Sequence, residues 1–189
     1  MKNFKLSDIL KPVIVLTAIC LVTSALLAYT NKITAPEIEK QNAQAANEAR
    51  STVLSEAKDF ESANLSGNEE YFIGKSENGD IIGYVFTTTA KSYGGEIKVM
   101  VGVKADGTVN AVELLQINDT PGLGMNAKTP DFLNQFENKT AGIGVNKNTP
   151  GDNEIKALTG ATITSNAVTS AVNTALENFV AVTGGADNG

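Results

Sequence analysis

The chain contains no histidine and no tryptophan, and its one cysteine, Cys20, lies inside an apolar N-terminal run. Each absence removes a class of chemistry. Beyond that run there is no thiolate, so no Cys-ligated iron–sulfur cluster can form there. Without His, a His/Cys zinc site and a His-ligated haem are excluded. Ser-His-Asp and Cys-His nucleophile arrangements go the same way. Any redox chemistry must therefore come from an organic cofactor. No Gly-x-Gly-x-x-Gly stands at a strand–helix junction, so a Rossmann dinucleotide site is unsupported. Positive charge is also scarce. Lys and Arg number 15 against 21 Asp and Glu, for a net charge of −6. That balance argues against nucleic acid or an anionic membrane surface as a partner.

What is present fits one small domain behind an anchor, in 189 residues. Pro12 to Tyr29 carries no charge and is dominated by Val, Ile, Leu and Ala, between Lys11 and Lys32. Such a run is long enough to cross a bilayer as a helix. Lys2, Lys5 and Lys11 precede it, opposed by Asp8 alone, which places the N-terminus in the cytoplasm and later residues outside. The alternative is a cleaved signal peptide. The run is longer than a usual signal core and no small-x-small site follows, so a retained anchor is expected. Cys20 follows Ile19, which fits a lipoprotein site poorly, and reads as an inert apolar residue.

Thr34-Ala35-Pro36-Glu37 reads as a capping box with Pro in the first turn. It predicts a new helix to about Phe60, with Ile38, Ala46, Ala49, Val53, Ala57 and Phe60 on one face. From Glu70 the period changes to strands. Tyr71–Lys75 and Ile81–Thr88 flank the hairpin turn Asn78-Gly79. Glu96–Lys104 alternates through Ile97, Val99, Val101 and Val103, and Asp106-Gly107 turns it into Val109–Ile117. A short helix follows at Pro130–Phe136, a loop or edge at Gly142–Pro150 and a last strand at Asn153–Leu158. The terminal helix carries an apolar stripe at Ala167, Val168, Ala171, Val172, Ala175, Leu176, Phe179 and Val180. A frayed tail is expected from Val182. The expected fold class is α+β: an antiparallel sheet with flanking helices, preceded by one transmembrane helix. The expected division is a cytoplasmic tip and anchor at 1–33, a membrane-proximal helix at 34–62, and an extracytoplasmic domain at 63–189.

One corner stands out. Leu158-Thr159-Gly160-Ala161-Thr162-Ile163-Thr164-Ser165 packs four hydroxyl side chains and a glycine just before the terminal helix, with Thr164 or Ser165 as N-cap. A helix N-terminus offers free N–H groups and partial positive charge, which favour a phosphate. The plain alternative is a polar capping cluster.

Thr159-Gly160-Ala161-Thr162 followed by Ile-Thr-Ser resembles the Ser/Thr-Gly-Ala-Thr motif of membrane-anchored flavoproteins in the Rnf and Na⁺-translocating NADH:quinone reductase complexes. Ser92-Tyr93-Gly94-Gly95-Glu96-Ile97 is similar to that family's Gly-Tyr-Gly-Gly loop. Asp119-Thr120-Pro121-Gly122-Leu123-Gly124 is similar to its Glu-Thr-Pro-Gly-Leu-Gly loop. Asp119 stands where Glu is usual. Lys156 stands three residues before Thr159, where the family has an Asp read by its flavin-attaching transferase. The resemblance implies FMN held by a phosphoester on Thr162, an attachment point and not a catalytic group. It also implies cofactor contacts at Thr159, Gly160, Ala161, Thr164, Tyr93, Gly94, Gly95, Thr120, Gly122, Leu123 and Gly124. Lys128, Lys147 or Lys156 is the candidate cation for a reduced flavin. The implied role is electron relay in an ion-translocating ferredoxin:NAD⁺ oxidoreductase. The implied partners are the other membrane components of that complex and, during maturation, the transferase. The alternatives are a C-type component of the quinone reductase, a stand-alone flavin reductase or sensor, and a non-redox surface-anchored binding module.

Overall fold

A computed structural model describes residues 6–65 and 70–184, with side chains from Leu10 onward. The cationic tip residues Lys2 and Lys5, and the end of the tail, lie outside the described residues. The chain divides into two compact units, Met1–Gln44 and Ala45–Gly189.

The first unit is helical. Helix α1 runs without interruption from Leu6 to Val53, with Pro12 and Pro36 inside it. The capping box at Thr34 is therefore not a helix start. Thr34 Oγ1 donates to the Thr30 carbonyl at 3.0 Å, a bond made in mid-helix, and does not accept from the turn ahead. Pro36 removes one helical N–H donor, yet the helix continues through it in an exposed segment. Val13, Ile14, Val15, Leu16, Leu21, Val22 and Leu27 are all bare. A continuous apolar surface of this kind suits a lipid environment. Among the described residues this is the one helix long and apolar enough to cross a membrane, and it fits a single-pass anchor.

The second unit is built on a five-stranded antiparallel sheet in the order β1-β2-β3-β4-β5. Its strands are β1 (Asp59–Asn64), β2 (Glu70–Lys75), β3 (Ile81–Lys91), β4 (Glu96–Lys104) and β5 (Val109–Gln116). Strand alternation in β4 sends Ile97, Val99, Val101 and Val103 to one face, all fully buried. There they meet α3 (Thr162–Thr183) through Val168, Val172, Leu176 and Phe179. Each of these side chains contributes roughly 1.5–3 kcal/mol by leaving water. Thr88 Oγ1 adds a bond to the Ala171 carbonyl at 2.9 Å. The opposite face, with Val85 and Met100, is covered by Ala49, Val53 and Leu54. Both faces of the sheet are thus packed.

The expected helix to Phe60 ends at Val53, and Phe60 lies in β1, a strand where helix was expected. Ala57 and Phe60 still pack on the cluster of Ala49 and Val53. The turn between returns the chain to the same face, so the spacing imitates a longer helix. The stripe on α3 is buried as expected except at Val180, which is exposed. The helix continues to Thr183 and closes at Gly184, past the residue where fraying was expected. Between β5 and α3 lie a 3₁₀ turn at Gly124–Lys128, the short helix α2 (Pro130–Leu133), and a parallel pair, β6 (Gly144–Asn146) with β7 (Glu154–Lys156).

Candidate functional site

Three connections meet at one end of the sheet. The first, Ser92–Gly95, is the tight turn between β3 and β4, closed by Ser92 N–H donating to the Gly95 carbonyl at 2.7 Å. The second, Asp119–Gly124, leaves β5 and folds back where the N–H groups of Leu123 and Met125 both donate to the Thr120 carbonyl at 3.2 Å. The third, Leu158–Ala161, enters α3. Gly160 sits there at φ +76°, a left-handed conformation that costs a side-chain-bearing residue energy.

Asp119 joins all three. It is only 4% exposed. Its Oδ2 accepts from Ser92 Oγ and, at 2.6 Å, from Thr164 Oγ1, and its Oδ1 accepts from the Gly94 N–H at 2.5 Å. Gly124 makes the junction possible, because a Cβ there would lie 2.6 Å from both Asp119 Cβ and Thr164 Oγ1. Burial pushes the Asp119 carboxyl up, but the bonds from Ser92, Thr164 and Gly94 outweigh it and hold the group below the ordinary carboxylate range. The unfolded chain has a carboxyl near pKa 3.9. A folded pKa below that adds stability at any pH above the unfolded value, and the gain is lost as pH falls through the folded pKa. The stability difference between the wild type and Asp119→Asn should therefore be constant above about pH 5 and shrink below about pH 4. Urea melts across that range check it. A difference that stays flat into acid would show that the Asp119 charge carries none of the gain.

The connections enclose a cleft of about 640 Å³. This lies within the range of pockets that take small cofactors. Of the sequence-predicted residues, Tyr93, Thr120, Leu123, Gly124, Gly160, Ala161, Thr162 and Thr164 line it. Gly94, Gly95 and Gly122 belong to the same loops but not to the lining, and Thr159 faces a neighbouring groove with Lys156. Asp119 and Ile163 also line the cleft and were not among the predicted contacts. Asp119 was legible only as a motif letter, since nothing in the local pattern tells a buried carboxylate from a turn-forming one. None of Lys128, Lys147 and Lys156 reaches the lining.

The start of α3 differs from the expected capping. Its N-cap is Ala161, with no side-chain capping bond, and Thr162 is the first helical residue. Thr164 is instead committed to Asp119. Ser165 Oγ accepts the Leu158 N–H at 2.9 Å and donates to the Ala161 carbonyl at 3.0 Å. The first regular helical bond runs from the Ser165 N–H to the Ala161 carbonyl. That pattern leaves the N–H groups of Thr162, Ile163 and Thr164 at the helix mouth. Thr162 is half-buried at this mouth, and no hydrogen bond engages its hydroxyl among the described residues. An apolar rim surrounds it: Tyr93, Leu123 and Ile163 are 73, 44 and 56% exposed. The donor set fits a flavin mononucleotide. It offers a free hydroxyl and helix N–H groups for a phosphate, and apolar side chains for a ring.

Comparison with known proteins agrees with this geometry. Residues 92–177 match the FMN-binding domain family, and residues 1–53 match the RnfG N-terminal region. The chain is 41% identical to the G component of the Na⁺-translocating ferredoxin:NAD⁺ oxidoreductase complex of Acetobacterium woodii, over 88% of this chain and 89% of that one. It is 35% identical to the G component of the proton-translocating ferredoxin:NAD⁺ oxidoreductase complex of Clostridium ljungdahlii, over 90% and 91%. Among solved structures, the C component of the Na⁺-translocating NADH-quinone reductase of Parabacteroides distasonis shares the fold. It superposes with a TM-score of 0.55 at 20% identity, over 71% of this chain and 81% of that one. Identity at this level along almost the whole length of both partners establishes kinship, and the chain belongs to the RnfG family, the G components of ion-translocating ferredoxin:NAD⁺ oxidoreductase complexes.

Proposed function

We propose that this chain is the membrane-anchored flavoprotein of such a complex, carrying FMN as a phosphoester on Thr162 and relaying electrons between its partners there. The observation that carries the reading is Thr162 itself: an uncommitted hydroxyl at the open N-terminus of α3, inside a cleft lined by all three motif loops. Thr164 is a poor alternative, because it is buried and its hydroxyl is engaged by Asp119. Thr159 is exposed outside the cleft.

Bound FMN supplies one- and two-electron transfer. The chain's own residues hold and shield it. The N–H groups at the mouth of α3 and the helix dipole stabilise phosphate charge. Tyr93, Leu123 and Ile163 offer apolar surface to a ring. Asp119 ties the three loops together through Ser92, Gly94 and Thr164. It is a poor general base, since its oxygens already accept three donors. The division proposed is a tip and anchor at 1–33, a membrane-proximal helical segment after it, and a flavin domain that takes in the whole sheet from β1 onward, not only 63–189, with the N-terminus cytoplasmic and the domain outside. A flavin transferase is the maturation partner. A tether is useful there because a dissociated FMN outside the cytoplasm is lost. The orientation is checked by a reporter active only outside the cytoplasm, fused after Gly189. It should be active, and activity from a cytoplasmic reporter alone would reverse the topology.

A relay protein needs no nicotinamide site. Hydride transfer requires the nicotinamide to be held at the flavin in near-attack geometry. The flavin-loaded chain should therefore be reduced readily by small artificial reductants and only slowly by NADH in stopped flow. Fast, saturable reduction by NADH would contradict the relay and favour a stand-alone reductase.

A further inference from the structure

The cleft has an unusual charge pattern. Its lining contains a single ionisable carboxylate, Asp119, and no lysine or arginine. That carboxylate is buried, and all three of its donors are neutral: two hydroxyls and one backbone N–H. No cation shares its bonds. Neutral donors delocalise a charge but do not cancel it. A full negative charge therefore stands at the wall of a partly desolvated cleft, where charges interact far more strongly than across water.

We propose that Asp119 sets the reduction potential of the cofactor in this cleft, as a fixed negative charge that weights the flavin toward its oxidised form. The proposal rests on the reading that the cleft holds FMN. Reduction of the ring adds two electrons and, at neutral pH, one proton from water. The ring goes from neutral to singly negative. Asp119 opposes that gain of charge, and no side chain on the lining offsets it. The carboxylate thus has a second consequence beyond joining the loops. It makes the bound flavin a stronger reductant than the same flavin in a neutral cleft.

Charge and geometry are separable by mutation. Asp119→Asn removes the charge and keeps the shape. Ser92→Ala keeps the charge and removes one donor. The full-length chain in detergent, produced together with a flavin transferase, is titrated with dithionite, which supplies the electrons and is oxidised to sulfite, against reference dyes. Flavin content under denaturing conditions and thermal melts are recorded alongside. The expected result is that Asp119→Asn retains flavin and titrates at higher potential. Its reduced-to-oxidised ratio at a given potential should rise at least tenfold, about 30 mV for a two-electron couple. Ser92→Ala should titrate with the wild type. An unchanged potential in folded, loaded Asp119→Asn would overturn the proposal. So would an equal shift in Ser92→Ala, which would assign the effect to loop geometry. If Asp119→Asn does not load, Asp119→Ser takes its place. Failure of both to hold flavin while Ser92→Ala holds it would overturn the proposal by confining Asp119 to assembly. A wild-type chain without flavin would defeat the underlying reading instead, before any variant is titrated.

Discussion

Thr162→Ala should abolish flavin fluorescence in a denaturing gel while leaving the domain folded. The loss should be complete, because the proposed phosphoester needs the Thr162 hydroxyl at the mouth of α3, and the other unengaged hydroxyls on the lining, those of Thr120 and Tyr93, belong to the other two loops. The structural cost should be small. Thr162 is the first helical residue and not the N-cap, and no hydrogen bond engages its side chain among the described residues. Its removal should change stability by no more than about 0.5 kcal/mol. Thr164→Ala should give the opposite pattern. It removes a buried donor to Asp119, so stability should fall by about 1–3 kcal/mol while the flavin stays attached. Fluorescence surviving in Thr162→Ala would place the attachment elsewhere.

Asp119→Ala should be the most destabilising single change at the site. It leaves Ser92 Oγ, Thr164 Oγ1 and the Gly94 N–H without their acceptor in a buried junction. Unmet buried donors are costly, and the three losses are coupled, so about 3 kcal/mol in total is expected. For a domain of this size that lowers the melting temperature by roughly 6–12 °C. The loops should loosen together, so flavin loading should fall as well. A melting temperature within about 2 °C of wild type would show that the loops hold without the carboxylate.

Much of this architecture was legible in the sequence because the local signals agree with one another. The bounds of β4, Glu96–Lys104, follow from the alternate placing of Ile97, Val99, Val101 and Val103, and Asn78-Gly79 and Asp106-Gly107 mark their hairpins. The three loops were legible as motifs in order along the chain. Their convergence was not, since it depends on the end of β3, the start of β4 and the end of β5 lying side by side. The missed elements share a cause. The turn after Val53 contains no Gly or Pro, so Ala57 and Phe60 read as further turns of helix. Pro36 reads as a helix start, yet an exposed helix passes through it. The Thr164 hydroxyl reads as a cap, but a buried carboxylate 45 residues away in sequence claims it. Local propensity cannot register a partner that distant.

Covalent carriage of FMN on Thr162 is what the proposed relay rests on. The most direct test is the intact mass of the full-length chain made with a flavin transferase and measured after denaturation, with peptide mapping of the segment around Thr162. The expected result is a gain equal to FMN less one water, located on the peptide containing Thr159–Ser165 and absent from Thr162→Ala. An unmodified mass from a folded chain, or the same gain persisting in Thr162→Ala, would contradict it.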